Sequence, residues 1–131
     1  DLSLLREFVG LLKESSPKLK HSFEFRNPSW FVPEIYELLA KNEMTVCFAD
    51  YPSRIPEPSD EFPYIYIRRH GPSGQAYRGC YSPSELKQLA ERIKAWLKQG
   101  KEVYVYFNND IGGYAPRNAL ELKKYIMGDN Y

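Results

Sequence analysis

The feature that most constrains the fold of this chain is an alternation between helical stripes and short strand-like runs. The predicted order is helix, strand, helix, strand, strand, helix, strand, helix, and no segment repeats another. Alternation of this kind indicates parallel strands whose connections return across one face of a sheet. We therefore predict an α/β fold that is built from parallel β/α units.

The four predicted strands differ in how much of each should be buried. Residues 21–26 alternate polar and aromatic side chains, which is the two-residue period of a strand with one covered face. Residues 45–49 are short and apolar, as in a strand that is buried on both faces. Residues 64–70 and 103–107 are the third and fourth strands, and both mix apolar residues with tyrosines.

Helix signals are clearest where Ser82 and Glu85 form a capping-box pattern around a proline. Leucines at helical spacing predict a first helix that ends near residue 15, Pro33 begins a second, and a last helix is predicted over about residues 116–127. Residues 51–63 contain four prolines and no helical stripe, which predicts an irregular crossover. The candidate core residues of the last helix are Leu120, Leu122 and Ile126.

Four parallel strands would leave two open sheet edges with unpaired backbone groups. Either the chain is a segment of a longer polypeptide, or it pairs with a second copy or another chain. A small open α/β sandwich is the alternative. With 131 residues, we expect one domain over residues 1–131.

Composition and charge argue against several classes of protein. Eighteen basic residues against seventeen acidic ones leave a formal charge of +1, without the basic excess typical of nucleic-acid or membrane-surface binding. No apolar run is long enough to span a bilayer, the start lacks the features of a signal peptide, and two cysteines are too few for a disulfide scaffold. We therefore expect a cytoplasmic protein with no membrane partner.

Several motifs at the predicted strand ends appear together in one order. They are Glu24-Phe25-Arg26-Asn27-Pro28-Ser29-Trp30, Ala49-Asp50, Arg68-Arg69-His70-Gly71, Tyr77-x-Gly-x-Tyr81-Ser82, Phe107-Asn108-Asn109-Asp110 and Ala115-Pro116-x-Asn118-Ala119. In this order they resemble the YecE-like family, also called domain of unknown function 72. The resemblance implies a TIM-type (β/α)₈ barrel about twice as long as this chain, with these motifs in its C-terminal half. It implies no reaction, because the family has none that could be transferred.

In such a barrel the working residues project from the C-terminal strand ends. Strand alternation separates apolar side chains, expected under the helices, from polar ones that should point to the barrel axis. Glu24 and Arg26, then Arg68 and His70, then Asn108 belong to this polar set. Three strands therefore deliver polar side chains to the same interior end.

These residue types indicate a pocket for a small anionic or sugar-like ligand. Arg26 and Arg68 could clamp a carboxylate or phosphate, and His70 could act as general acid or base. Glu24 or Asp50 would orient the histidine or act as a partner base. The further candidates are Asn108 and Asn109, as hydrogen-bonding groups for hydroxyls, and Tyr77 and Tyr81, as pocket wall or as loop packing.

Three alternatives stay open at this point. The charged residues could form an ion-pair network that only fills the barrel. A divalent metal could bind Glu24, Asp50, His70 and Asp110, although no tight ligand spacing supports it and two arginines would oppose a cation, so we predict no cofactor. The chain could also be a non-catalytic module that binds a ligand or nucleic acid rather than a hydrolase, lyase or isomerase.

Overall fold

A computed structural model describes residues 1–51, 58–72 and 76–129. Its elements follow the predicted order. The helices are α1 (Leu2–Ser15), α2 (Pro33–Lys41), α3 (Pro83–Lys98) and α4 (Tyr114–Met127), and the strands are β1 (Ser22–Phe23), β2 (Thr45–Ala49), β3 (Tyr64–Arg69) and β4 (Glu102–Phe107). The capping box at the start of α3 is present, with Ser82 and Glu85 bonded reciprocally.

The four strands form one parallel sheet in the order β1-β2-β3-β4. The register places Cys47 beside Tyr66, Tyr66 beside Tyr104, and Arg68 beside Tyr106. Because the strands are parallel and in sequential order, their C-terminal ends meet along one edge of the sheet. This arrangement confirms the prediction of parallel β/α units that make up half of a (β/α) barrel-type fold.

The two faces of the sheet differ in chemistry, as strand alternation predicted. Ile65 and Ile67 are buried in a core with residues of α3 and α4, and Val46 and Phe48 are buried in a second core with α1 and α2. The opposite face of β3 and β4 carries the tyrosines and Arg68. The apolar residues therefore lie under the helices, and the polar face is the inner face of the half-barrel.

The first strand is shorter than predicted. The expectation was residues 21–26, whereas β1 pairs with β2 only over Ser22–Phe23. Beyond Phe23 the chain is held by side chains instead: Phe25 stacks on Trp30 with ring centroids 4.7 Å apart, and Glu24 pairs with arginines. Backbone pairing of this strand therefore ends at Phe23, and side-chain contacts position the residues that follow.

The predicted core of α4 was wrong at one position. Leu122 is buried and Ile126 is partly buried, but Leu120 is 61% exposed. Two residues along a helix correspond to about 200° of rotation, so Leu120 and Leu122 cannot share one face. Helix α3 buries Leu86, Leu89, Ile93 and Trp96, whereas Leu97 is exposed.

The predicted irregular crossover at residues 51–63 lies partly outside the described residues. Residues 58–63 contain turns and no helix. Phe62 is fully buried, and Asp60 accepts a hydrogen bond of 3.0 Å from the Trp96 indole. None of the helices in residues 1–51, 58–72 and 76–129 has the length and hydropathy that crossing a membrane requires.

Helix α1 carries an exposed apolar row. Leu4, Phe8 and Leu11 are 66%, 49% and 55% exposed, while Leu5 and Val9 on the other side of the helix are buried. Leu4 and Leu11 belong to neither core, and the Phe8 ring contacts Phe23 of edge strand β1 edge to face, with centroids 6.0 Å apart. An apolar row of this kind marks a surface that favours further packing.

Candidate functional site

Glu24, Arg68 and Asn108 form a connected group at the C-terminal ends of three strands. An Arg68 Nη1–H donates to Glu24 Oε2 at 2.5 Å, and the Nε and Nη2 groups of Arg68 donate to Asn108 Oδ1 at 3.1 and 3.0 Å. The guanidinium group thus bridges β1 to β4 from its position on β3. Three of the five N–H groups of Arg68 are therefore occupied by Glu24 and Asn108. Arg68 would contribute to ligand binding mainly through its positive charge and through the fixed position of its guanidinium group.

Arg26 is the more available of the two arginines. Its Nη2 lies 2.8 Å from Glu24 Oε1, and its side chain is 56% exposed, against 29% for Arg68. Burial alone would raise the pKa of Glu24. The hydrogen bond from Arg68 and the charge of Arg68 outweigh this effect, so the pKa of Glu24 lies below its ordinary value. Two guanidinium groups therefore face one ionised carboxylate, which leaves positive charge for an anion.

His70 follows β3 directly and is buried without polar partners. Its side chain is 1% exposed, and neither ring nitrogen has a hydrogen-bond partner among the described residues. Its Nε2 lies 3.9 Å from Glu24 Oε1, which is too long for a hydrogen bond. Burial, together with the nearby charge of Arg68, lowers the pKa of His70 from its ordinary value, so the imidazole is neutral at pH 7.

Two tyrosines lie against the His70 ring. Tyr51 and Tyr77 have ring centroids 6.0 and 5.9 Å from it, and Tyr77 is 48% exposed. Tyr77 also has a left-handed backbone, with φ of +69°, and its N–H donates to the His70 carbonyl at 2.7 Å. A bulky residue in this conformation is strained by about 1–3 kcal/mol, which is common at functional sites.

Asp50 contacts the backbone near His70 rather than the imidazole. Its Oδ1 accepts a hydrogen bond of 2.7 Å from the His70 backbone N–H, and its Oδ2 accepts one from the Tyr81 hydroxyl. The same hydroxyl accepts from the Gly71 N–H at 2.8 Å. Burial and the Asp50 carboxylate raise the pKa of Tyr81. Asp50 and Tyr81 therefore hold the backbone segments that follow β2 and β3 in position.

Asn109 is buried beneath the loops and does not reach the inner face. Its Nδ2 donates to the Gly79 carbonyl and to Asn118 Oδ1, both at 2.9 Å. Asn118 Oδ1 also accepts from the Tyr81 N–H at 3.1 Å. The two asparagines thus join the loop after β4 to the loop that precedes α3.

A groove of about 440 Å³ runs along the inner face below this group. Four tyrosines of β3 and β4 line it, Glu24 and Arg68 lie at the C-terminal ends of the strands, and Lys20 lies before the start of β1. Cys47 also lines it, with its thiol 3.6 Å from Glu24 Oε2, and burial raises the pKa of this thiol to about 12. Cys47 is therefore a neutral wall residue and not a nucleophile.

The described residues contain no group of three or more histidine, cysteine, aspartate or glutamate side chains that could hold a metal ion. Of the four candidate ligands, Glu24 is paired with arginines and Asp50 is bonded to Tyr81 and the backbone. Asp110 is exposed in the turn before α4.

The structure brings together six of the nine predicted site residues and places the other three in the surrounding loops. Those that meet on or beside the inner face are Glu24, Arg26, Arg68, His70 and Asn108, with Tyr77 against His70. Asp50, Tyr81 and Asn109 hold the surrounding loops. Sequence reasoning did not select Tyr51, for which no pattern gives a signal, or Tyr66 and Tyr106, which strand alternation places on the inner face.

Comparison with known proteins identifies the family. The sequence model described as "Protein of unknown function DUF72" matches residues 1–130. The chain belongs to the DUF72 family. This confirms the resemblance to the YecE-like proteins.

Two solved DUF72 structures are similar to this chain. One, from Thermotoga maritima, is 36% identical with a TM-score of 0.76, and the match covers 91% of this chain and 50% of that one. The other, from Enterococcus faecalis, is 23% identical with a TM-score of 0.77, and covers 92% and 52%. The chain therefore spans about half the length of these DUF72 proteins. A search of curated proteins found no match.

Proposed function

We propose that the cluster of Glu24, Arg26, Arg68, His70 and Asn108 binds a small anion and that His70 transfers a proton to or from it. The activity would be that of a hydrolase, lyase or isomerase. The observation that carries this proposal is the buried imidazole of His70, neither of whose nitrogens has a hydrogen-bond partner among the described residues. Each unpaired buried nitrogen costs about 1–3 kcal/mol, a cost that a bound ligand would remove.

The charges of the cluster favour an anion. Two arginines act on one carboxylate, and Arg26 keeps donors open to solvent. A bound carboxylate or phosphate would take these donors in charge-assisted hydrogen bonds. A cation would be repelled by the same two groups, so a divalent metal is the less favoured alternative.

The state of His70 suits proton abstraction. Because burial and Arg68 lower its pKa, the imidazole is neutral and can accept a proton at pH 7. Glu24 Oε1, at 3.9 Å, would stabilise the imidazolium that forms once the two groups move about 1 Å closer. A ligand reaches the ring by displacing the half-exposed Tyr77 side chain.

The proposed site is shared with further β/α units. The chain spans about half of its structural relatives, and both edges of the sheet lack a neighbouring strand among the described residues. We place these units in the same, longer polypeptide, where they would supply the opposite wall. A cytoplasmic location is part of the proposal, because Cys47 and Cys80 are both free thiols.

The test is a thermal-shift screen of the full chain with inorganic phosphate, phosphorylated metabolites and carboxylates. We expect anions to raise the melting temperature and Arg26→Ala to remove most of this effect, whereas Arg117→Ala, an exposed arginine on α4, preserves it. A compound that binds is then followed for conversion by NMR. His70→Gln should keep its binding and slow its conversion about 10²–10⁴-fold.

Two results would overturn the proposal. One is that no anion stabilises the chain while single-stranded DNA or RNA does, which would favour a nucleic-acid-binding module. The other is conversion at an unchanged rate in the His70→Gln variant, which would remove the histidine from the chemistry.

A further inference from the structure

The inner face carries a ladder of stacked tyrosines that the proposed proton transfer does not use. Tyr66 on β3 lies between Tyr104 and Tyr106 on β4, with ring centroids 6.1 and 5.2 Å away and interplanar angles below 30°. In the strand register Tyr106 is the neighbour of Arg68. The ladder therefore ends next to the guanidinium group of the anion site.

The two ends of the ladder differ in how their hydroxyl groups are occupied. At the lower end the Tyr64 hydroxyl donates to the His21 carbonyl at 2.5 Å, and the Tyr104 hydroxyl donates to Glu102 at 2.6 Å. At the upper end the hydroxyls of Tyr66 and Tyr106 have no hydrogen-bond partner within the described ranges, and Tyr106 is 48% exposed. Among the described residues, the unbonded tyrosine hydroxyls of the inner face therefore lie at the upper end.

The groove in front of the ladder is continuous with the anion site, because Glu24 and Arg68 line both. Its volume of about 440 Å³ lies within the range of sites that enclose small organic molecules. A simple phosphate or acetate ion would fill a small part of it. The ligand that fits this shape has an anionic group and a second, larger part.

We propose that the ligand is a sugar-like ring that bears a carboxylate or a phosphate. This inference rests on the proposed function. The anionic group binds at Arg26 and Arg68, and one apolar face of the ring packs on the exposed ring of Tyr106. The ring hydroxyls bond to the free hydroxyls of Tyr66 and Tyr106. Tyrosine suits this role because it joins a flat apolar body to a polar tip.

The experiment is calorimetric titration of the full chain with four probes. Glucose 6-phosphate and glucuronate carry both parts of the ligand, inorganic phosphate has only the anion, and glucose has only the ring. We expect the two ring-bearing anions to bind about tenfold more tightly than phosphate, and glucose to bind weakest.

Variants of Tyr106 separate the two parts. Tyr106→Ala should remove about threefold to tenfold of the affinity for ring-bearing anions and leave phosphate binding unchanged. Tyr106→Phe keeps the aromatic face for stacking, so it should lose less affinity for ring-bearing anions than Tyr106→Ala. Tyr125→Ala, on the helical side of the fold, is the matched control and should change neither affinity.

The outcomes separate this inference from the proposed function. If phosphate binds and depends on Arg26, but a ring adds no affinity or Tyr106→Ala weakens all anions equally, the ring subsite is wrong and the anion site stands. If no probe binds to the chain or to a longer form of the protein, both are wrong.

Discussion

At the scale of single residues, His70 is the most informative group in the chain. It is a buried titratable side chain whose ring nitrogens have no hydrogen-bond partner in the part of the chain that the structure describes, and it lies beside Glu24, which pairs with two arginines. Burial is the largest influence on the pKa of His70 and lowers it, as do the charges of Arg68 and Arg26. The carboxylates of Glu24 and Asp50 act in the opposite direction. Since the net direction is downward, the folded protein holds the imidazole in its neutral form.

The first prediction concerns the pH dependence of stability. In the unfolded chain the imidazole returns to its ordinary pKa of 6.5, so the unfolded state binds the proton more readily than the folded state. The free energy of unfolding should therefore decrease as the pH falls from 6.5, until the lower pKa of the folded state is passed. Urea unfolding between pH 7.5 and 5 would measure this decrease.

A His70→Gln variant is the control for that prediction. It should flatten the decrease between pH 6.5 and 5. It should keep the separate loss of stability below pH 4.5, where Glu24, whose pKa is lowered in the folded protein, becomes protonated. An equal slope in both proteins between pH 6.5 and 5 would show that His70 is not held neutral.

The sequence was sufficient to predict which residues lie at or near the site, but not what each of them does there. Strand alternation selected Glu24, Arg68 and Asn108, because the side of a strand follows directly from a two-residue period. It could not distinguish Asp50 and Asn109 from ligand-binding groups, because both lie in turns after strands. In turns, direction depends on hydrogen bonds to residues distant in sequence, such as Tyr81 and Asn118.

At the scale of elements, Asp50 joins three segments that are separate in the sequence. It lies at the end of β2, bonds to the backbone at the end of β3, and bonds to Tyr81 just before α3. This partly buried carboxylate is costly to remove, because its two hydrogen-bond donors then lose their partner. The position of His70 depends on this junction.

The second prediction follows from that junction. Asp50→Ala should lower the free energy of unfolding by about 3 kcal/mol, because the Tyr81 hydroxyl and the His70 N–H both lose a charged acceptor. Asp50→Asn keeps one acceptor oxygen and should cost about half as much. Denaturant unfolding at pH 7 would measure both, and a cost below about 1 kcal/mol for the alanine variant would contradict this role.

Helices and strands with strong local signals were predicted well. Helix α3 begins at its capping box, and β2, β3 and β4 appear within a residue of their predicted limits. Strand β1 was predicted too long, because the polar–aromatic period of residues 21–26 continues after the backbone pairing has stopped. The period of a sequence shows which side of the chain is covered by other residues. It does not show how far the backbone is hydrogen-bonded to a neighbouring strand.

At the scale of the whole molecule, the exposed apolar row of α1 accompanies an open sheet edge. Leu4, Phe8 and Leu11 lie on the helix that leads into β1, and β1 has a described neighbour only on the β2 side. Both features would be covered by an additional β/α unit. The resemblance to proteins about twice as long is consistent with this.

The third prediction is that this chain associates with itself through α1 when it is expressed alone. Replacing Leu4 and Leu11 by lysine should reduce the association measured by sedimentation and change the free energy of unfolding by less than about 0.5 kcal/mol, because both side chains are already exposed. Leu97→Lys, at an exposed leucine of α3, is the matched control and should leave association unchanged. A monomeric wild-type chain would contradict the prediction.

The short pairing of β1 has a consequence for how the protein could be altered. Since the backbone ladder ends at Phe23, the location of Glu24 is set by its contact with Arg68 and not by the sheet. Reversing these two charges would therefore do more than exchange a donor for an acceptor: it would place a cation beside Arg26 in place of its present partner Glu24, and so release the segment that carries Arg26. An engineer who wishes to change the specificity of this site should accordingly begin at Tyr106 on β4, which pairs with β3 along its whole length, so that a new side chain can be introduced without loosening the sheet.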